Sequence, residues 1–372
     1  MNPSLHCVDR IDHRIATALM ARRGQLTSVR SANTSLGFRR SLETRDQLMT
    51  FDQATRDSAG AFLVGELERL DQDLHKPLVA VTWQRDIDIR EDVSMGDEAS
   101  SFTNSTFAAS QGIAGSNKSW AAKNGSAVPS MALDIGKTVT ELPLWAQEIS
   151  WTIPELISAM RLGRPVDQQK YEFLLEKYQM DVDEEVYMGD AALGMNGMLN
   201  HSALTNTGNA VNGSWATATA IEILADVNAI LTSVYTTTGT ALPADTLLVD
   251  SISYGILVST IVSDAGNISI LEFLLRNNIT RALNNGKPLN IFPTKWLVGT
   301  GETISGVAGR GPASTNSMFA YVKDKKRIRL PLVPLQRTPL ENRGIQQITT
   351  YFGRIGGVEL VYSDTAARRS GL

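Results

Sequence analysis

The sequence predicts an α+β protein in which helices and strands are interspersed without a regular strand–helix–strand alternation. Two observations support this class. Thr152 and Glu155 have the spacing of a capping box, with Pro154 in the first turn, and apolar residues then recur at steps of three and four along residues 171–186. Short apolar runs typical of strands lie around these helices, at residues 78–83, 87–89, 139–151, 247–249, 289–292, 296–298, 318–322, 327–333, 344–352 and 355–362.

Further capping signals refine the order of elements. Residues 50–75 show a helical stripe that ends at Pro77, and Pro165 should kink or interrupt the long helix. Near Trp215 a second unit begins, because two more helices are predicted there. Their capping pairs are Thr219 with Glu222 and Ser269 with Glu272. The last two predicted strands, 344–352 and 355–362, would be joined at Gly353.

The first 45 residues carry the informative charge of the chain. They hold eight arginines, no lysine and three acids, about five positive charges in a chain whose net charge is -4. We interpret residues 1–50 as an extended arm, and its arginines suit forked contacts either with phosphate or with acidic protein surfaces. The candidate contact residues are Arg10, Arg14, Arg22, Arg23, Arg30, Arg39 and Arg40.

Residues 92–130 are dominated by Ser, Ala, Gly, Asn and Thr. A compact domain rarely carries so long a loop unless the loop has a function. We predict a long projecting hairpin or loop, with residues 139–151 as the return strand. Because this composition cannot bury itself, a partner surface should order the segment.

Patterns that would indicate an enzyme or a cofactor site are weak. His6, Cys7 and His13 match no zinc spacing, so no metal is predicted. The glycine-rich residues 299–311 lack the Gly-Lys-Ser/Thr ending of a phosphate loop and predict a flexible surface loop. Four acids of the long helix predict a solvated face or an interface: Asp181, Asp183, Glu184 and Glu185.

Composition adds three exclusions. One cysteine permits no intrachain disulfide, no segment has the length and apolarity of a membrane helix, and the N-terminus lacks the apolar run of a signal peptide. No cofactor and no membrane partner are therefore predicted.

The order of these parts resembles the Hong Kong 97 fold of tailed-phage major capsid proteins. Local sequence adds to the resemblance. Residues 120–129 look like the end of the extended loop in that family, and residues 146–156 look like the strand that enters its spine helix. Residues 323–334 and 353–362 are similar to one phage coat protein family with an uncharacterised domain.

The resemblance implies an N-terminal arm at residues 1–77 and an extended loop at 84–135. It implies an axial domain at 206–334 and a peripheral domain with the spine helix, made of residues 78–83, 136–205 and 335–372. Some relatives cross-link a loop lysine to an asparagine of a neighbour. Lys118, Lys123 or Lys137, with Asn342, would be the residues concerned, and we do not predict this reaction here.

The implied function is structural and not enzymatic. The subunit would form hexamers and pentamers of an icosahedral capsid around double-stranded DNA, in virions assembled in the bacterial cytoplasm. Its implied partners are copies of itself, portal and scaffolding proteins and non-specifically bound DNA, with cement proteins left open. An encapsulin-like shell that holds cargo enzymes is the alternative. A tail-tube or decoration protein would instead predict a β-dominated chain without a long helix.

Overall fold

The computed structural model describes residues 79–109, 118–120, 128–162, 166–211, 213–262, 267–284, 286–304 and 306–372. These residues belong to one compact unit, Val79–Leu372. The predicted helix at residues 50–75, the His6, Cys7 and His13 group and all the arginines of the arm lie outside the described residues. None of the helices in the described part has the length and apolarity to cross a membrane.

Helices and strands alternate irregularly along the chain, so the mixed class is confirmed. The helices are α1 (Trp83–Asp86), α2 (Ile153–Leu162), α3 (Val166–Tyr187), α4 (Ala220–Thr237), α5 (Ser251–Ser259), α6 (Ile270–Arg276) and α7 (Ile279–Leu283). The strands are β1 (Asp88–Arg90), β2 (Ala99–Ala109), β3 (Met131–Glu141), β4 (Leu144–Thr152), β5 (Thr205–Asn209), β6 (Thr246–Asp250), β7 (Asn290–Thr294), β8 (Thr303–Ile304), β9 (Val307–Ala308), β10 (Ser317–Tyr321), β11 (Ile328–Arg337), β12 (Glu341–Arg343), β13 (Gln346–Ile355), β14 (Glu359–Leu360) and β15 (Ala366–Ser370).

The strands form two larger sheets and two hairpins. A six-stranded sheet has the order β1-β11-β13-β12, with β14 also paired to β11 and β4 to β13. A five-stranded sheet has the order β5-β15-β10-β6-β7, and β2–β3 and β8–β9 form separate antiparallel pairs. The division into domains stays a prediction. The pairing places β1 in the six-stranded sheet and the C-terminal β15 in the five-stranded sheet.

The predicted helix starts are confirmed by their capping contacts. The Glu155 N–H donates to Thr152 Oγ1 at 3.2 Å, and the Thr152 N–H donates to Glu155 Oε2 at 3.4 Å. The Thr219 N–H donates to Glu222 Oε2 at 2.7 Å at the start of α4. α2 ends at Leu162 and α3 begins at Val166, and the predicted break at Pro165 lies between them, outside the described residues.

Four strand predictions are wrong because tertiary contacts override local pattern. Trp83 begins the helix α1, and Trp296 lies in a 3-10 turn, Lys295–Leu297. Gly353 lies within β13 and joins no pair of strands, because the sheet continues through it to Ile355. The predicted run 139–151 contains parts of two strands, β3 and β4, separated after Glu141.

The described glycine-rich residues lie largely at the surface, as predicted, and include the β8–β9 hairpin, while close backbone contacts hold the segment at two of its glycines. A Cβ atom on Gly309 would lie 2.2 Å from the carbonyl oxygen of Gly299. A Cβ on Gly299 would lie 2.3 Å from the carbonyl carbon of Thr315. These glycines are therefore needed for close approach of backbone segments next to the buried strand β10.

Two hydrophobic cores fill the unit. In one core, α3 and the segment from Trp83 to Ile87 pack against both larger sheets. Its buried residues include Tyr187, Trp296, Phe319 and Leu330. The other packs α4, α5 and α6 against the opposite face of the five-stranded sheet. There Arg369 of β15 pairs with the buried Asp226 of α4 at 3.2 Å, which attaches the last strand to this core.

The four acids of α3 have four different environments, so the prediction of one solvated face or interface is wrong. Asp183 is fully buried, whereas Glu184 is exposed and contacts Arg310 at 3.2 Å. Asp181 accepts a hydrogen bond from the Trp145 indole at 3.0 Å. Glu185 is partly buried and lines a cavity of about 420 Å³.

Asp183 joins three parts of the chain. Its Oδ1 accepts the N–H groups of Thr82 and Trp83 at 2.9 and 3.1 Å. Its Oδ2 accepts the Trp296 indole N–H at 2.7 Å and lies 3.1 Å from Lys295 Nζ. A buried carboxylate with this many donors is satisfied, and its removal would leave the donors without partners.

We expect Asp183→Ala to lower the free energy of unfolding by about 3 kcal/mol or more, because buried donors and a cation lose their acceptor. Urea unfolding of unassembled subunits measures this. Glu184→Ala is the control on the same helix, and it should cost under about 1 kcal/mol because its ion pair is exposed. Equal losses in the two variants would contradict the role given to Asp183.

Glu185 should make stability depend on pH. Burial, followed by the negative charges of Asp190 and Glu184, raises the pKa of Glu185 to about 7. Its Oε1 is buried without a hydrogen-bond partner. Because the folded-state pKa lies above the unfolded value, stability is highest below the unfolded pKa of about 4.5 and is lost as the pH rises through about 7.

We therefore expect Glu185→Gln to be more stable than the wild type at pH 8, by about 1–2 kcal/mol after solvent screening is allowed for. The difference should nearly vanish at pH 4, below the unfolded pKa of about 4.5. Urea unfolding at both pH values measures it, with the exposed Glu148→Gln on β4 as the control. A difference between Glu185→Gln and wild type that is independent of pH would contradict this assignment.

Candidate assembly surface

The β2–β3 hairpin is the predicted projecting segment, and its return strand is β3. The antiparallel ladder pairs eleven residues on each strand, from Ala99 with Glu141 at the root to Ala109 with Met131. At about 3.4 Å per residue this ladder is roughly 37 Å long. The prediction of a hairpin flanked by strands is confirmed, but β2 lies within residues 92–130, and β3 begins at Met131, eight residues before the predicted return strand.

One face of this hairpin is apolar and exposed. Met131, Leu133, Ile135 and Val139 share one face of β3, on which Lys137 interrupts the apolar row. Phe107 of β2 lies opposite Leu133 and belongs to the same face. The exposed fractions are 73% for Phe107, 66% for Leu133 and 61% for Ile135. We call the face formed by these five residues the apolar hairpin face.

The opposite face of the hairpin is mostly small and polar, with the partly buried Phe102 of β2 as its large apolar member. On β3 it carries Ala132, Asp134, Gly136 and Thr138. The two faces therefore differ as expected for a strand that is covered on one face and exposed to solvent on the other. Near the hairpin end, Trp120 and Val128 are also exposed.

A two-stranded hairpin is marginally stable by itself, and exposed apolar patches of this kind mark contact surfaces. The apolar hairpin face has no covering element among the described residues, since all five of its side chains are exposed. It is thus a surface suited to another molecule.

The composition argument had located the segment but had missed the side chains that give it a contact face. The signal was present in the sequence, because Met131, Leu133, Ile135 and Val139 recur with period two. The small residues between them obscured that alternation in a window defined by composition.

A second exposed apolar group lies at one end of the six-stranded sheet. Ile153 and Ile157 of α2 are 43% and 44% exposed, and Ile345, in the turn between β12 and β13, is 65% exposed. The Ile153 N–H donates to the Ile345 carbonyl at 3.0 Å, which holds α2 beside this turn. We call these three residues the sheet-end patch.

Other kinds of site are not built in the described part of the chain. There, no group of three His, Cys, Asp or Glu residues has a geometry that could hold a metal ion. The arm residues predicted to contact DNA or neighbouring subunits lie outside the described residues: Arg10, Arg14, Arg22, Arg23, Arg30, Arg39 and Arg40.

Comparison with solved structures shows which proteins share this fold. The capsid of Myoviridae phage XM1 matches with a TM-score of 0.65 and 17% identity, over 83% of this chain and 98% of that chain. A chain of Mycobacterium phage Adephagia matches with a TM-score of 0.51 and 11% identity, over 83% and 96%. A chain of Microbacterium phage Oxtober96 gives 0.51 and 10%, over 83% and 98%.

Sequence comparison agrees with the structural likeness. No curated protein sequence matches this chain. A family model described as major capsid protein matches residues 117–372, well over half of the sequence, and the matched region includes β3, α3 and every strand of the two larger sheets except β1. The chain therefore belongs to the major capsid protein family and is a structural subunit of an icosahedral bacteriophage capsid.

Proposed function

We propose that the subunit assembles as hexamers and pentamers, and that the apolar hairpin face is the surface that each copy lays against its neighbour. The observation that carries this proposal is a row of five apolar side chains, 57% to 73% exposed, on a hairpin with no covering element among the described residues. Burial on a neighbouring copy would remove these side chains from water.

The energetic scale is sufficient for assembly. Full burial of a Leu, Ile or Phe side chain contributes about 1.5–3 kcal/mol. Each subunit has five apolar residues on this face. Because the contact is repeated around a closed ring, individually weak contacts add up to a large total stabilisation. The sheet-end patch, with Ile153, Ile157 and Ile345, is a further surface of the same character where subunits of adjacent rings would meet.

The finer architecture that we propose is that of the Hong Kong 97 fold. The hairpin would be its extended loop, α3 its spine helix, and the five-stranded sheet with α4 and α5 the centre of its axial domain. In this scheme the protein has no catalytic role. Portal, scaffolding and cement proteins would be its partners, and assembly would take place in the host cytoplasm. The encapsulin-like alternative is not favoured, because the family match is to major capsid proteins.

Replacement of Leu133 and Ile135 by Ser should reduce shell formation at least tenfold, because the docking surface loses apolar area. Folding should be little affected, since both side chains are exposed. Light scattering and electron microscopy measure shells, and circular dichroism measures folding. Ala132→Ser with Thr138→Ser, on the opposite face, is the control. Normal shell yield with the Leu133 and Ile135 variant would contradict the proposal.

We also propose that the arginines of the N-terminal arm contact packaged DNA or acidic faces of sister subunits. Support comes from the sequence: eight arginines and no lysine among the first 45 residues. Forked guanidinium groups bind phosphate and carboxylate in a bidentate way, which an ammonium cannot do. DNA contact would be non-specific, with a salt slope of about 0.9 per neutralised phosphate.

Replacement of Arg10, Arg14, Arg22 and Arg23 by Ala separates the two roles. Loss of DNA retention in intact shells supports phosphate contact, and failure of empty shells to form supports docking on subunits. The same four positions changed to Lys are the matched control, because they keep the charge without the fork. Normal assembly together with normal DNA retention in the Ala variant would rule out both roles.

A further inference from the structure

The root of the hairpin is held by a buried polar cluster. Ser100, near the start of β2, is 3% exposed, and its hydroxyl donates to Glu359 Oε1. Arg90 Nη1 donates to Ser100 Oγ at 2.8 Å and to the Ser101 carbonyl at 3.0 Å. These contacts lie at the place where the chain enters the hairpin from the six-stranded sheet.

Glu359 is the centre of this cluster. It is 1% exposed and lies on β14. Arg90 of β1 contacts its Oε1 at 2.9 Å, and Arg329 Nε of β11 contacts its Oε2 at 2.6 Å. Because β1, β11 and β14 are paired in one sheet, the carboxylate and both guanidinium groups form a rigid base, and Ser100 is the hairpin's connection to it.

Beyond the root, the described part of the hairpin makes one further side-chain hydrogen bond with the sheet region. Asn104 Nδ2 donates to the Val361 carbonyl at 3.2 Å. Further along, residues 103–109 and 131–139 are exposed. The hairpin is roughly 37 Å long and is oriented by contacts near its root. A small rotation at Ser100 would therefore displace its far end by many ångströms.

We propose that Glu359 is a positioning residue for assembly: through Ser100 and Arg90 it fixes the angle between the hairpin and the six-stranded sheet, so that the apolar hairpin face meets a neighbouring copy. This inference rests on the docking role proposed above for that face. Charge-assisted hydrogen bonds that are shielded from water are strong and directional, which suits them to hold an angle.

Ser100→Ala tests this positioning role with little effect on the sheet, because Glu359 keeps its contacts with Arg90 and Arg329. We expect the subunit concentration needed for shell formation to rise about tenfold, equivalent to about 1.4 kcal/mol. Thr138→Ala is the matched control, since Thr138 lies on the face opposite the apolar hairpin face, is exposed and has no side-chain hydrogen bond among the described contacts. It should assemble like the wild type.

A distance measurement separates positioning from a general loss of stability. Spin labels at Thr106→Cys on the hairpin and Lys326→Cys on the sheet region, in a Cys7→Ser background, report the angle in unassembled full-length subunits. Both labelled positions are exposed. The distance distribution should broaden about twofold with Ser100→Ala and stay unchanged with Thr138→Ala.

Asn104→Ala is the second variant. The Asn104 side chain is exposed, so the substitution removes its hydrogen bond to the Val361 carbonyl without a risk to folding. The distance distribution should broaden less than with Ser100→Ala. If Ser100→Ala and Asn104→Ala both leave the distribution and shell formation at wild-type values, the positioning role is wrong. The docking proposal would then still stand if the Leu133 and Ile135 variant fails to assemble. If that variant assembles normally while Ser100→Ala broadens the distribution, the docking role fails instead.

Discussion

The buried carboxylate of Asp183 connects three parts of the chain on which the rest of the fold depends. It lies on the long helix α3, yet its partners come from the segment that precedes α1 and from the turn that follows β7. Lys295 adds a cation at 3.1 Å and also donates to the Ala80 carbonyl at 2.8 Å. The helix, the entering chain and the five-stranded sheet are thus joined through one acceptor group that water does not reach.

A second buried network lies next to the first. Tyr187, at the end of α3, donates its hydroxyl to Asp86, while the Tyr321 hydroxyl donates to the Asp86 carbonyl at 2.6 Å. Tyr187 also stacks on Trp296, with ring centroids 6.2 Å apart. Aromatic rings with satisfied hydroxyl groups fill the space around the carboxylates, so the polar centre is both packed and hydrogen-bonded.

This arrangement separates the stability of the subunit from the surfaces used for assembly. The buried networks and both hydrophobic cores lie in the sheets and helices, whereas the apolar hairpin face is exposed and contributes little to the isolated fold. A shell protein benefits from this separation, because contacts between subunits then form and rearrange without unfolding the unit that carries them. Glu359 links the sheet to the hairpin, because its carboxylate contacts Arg329 of the sheet and accepts the hydroxyl of Ser100 at the root of the hairpin.

Local chemistry in the sequence determined the helix starts at Thr152, Thr219 and Ser269 and the presence of a hairpin around residues 92–130. These features depend on a few neighbouring residues, so pattern alone is sufficient. Tertiary structure decided that Trp83 and Trp296 would leave their predicted strands, because both indoles approach α3. It also decided that Asp183 is buried while its neighbour Glu184 is exposed. Adjacent acids look equivalent in a sequence, and only the donors that the fold brings from residues about 100 positions away distinguish them.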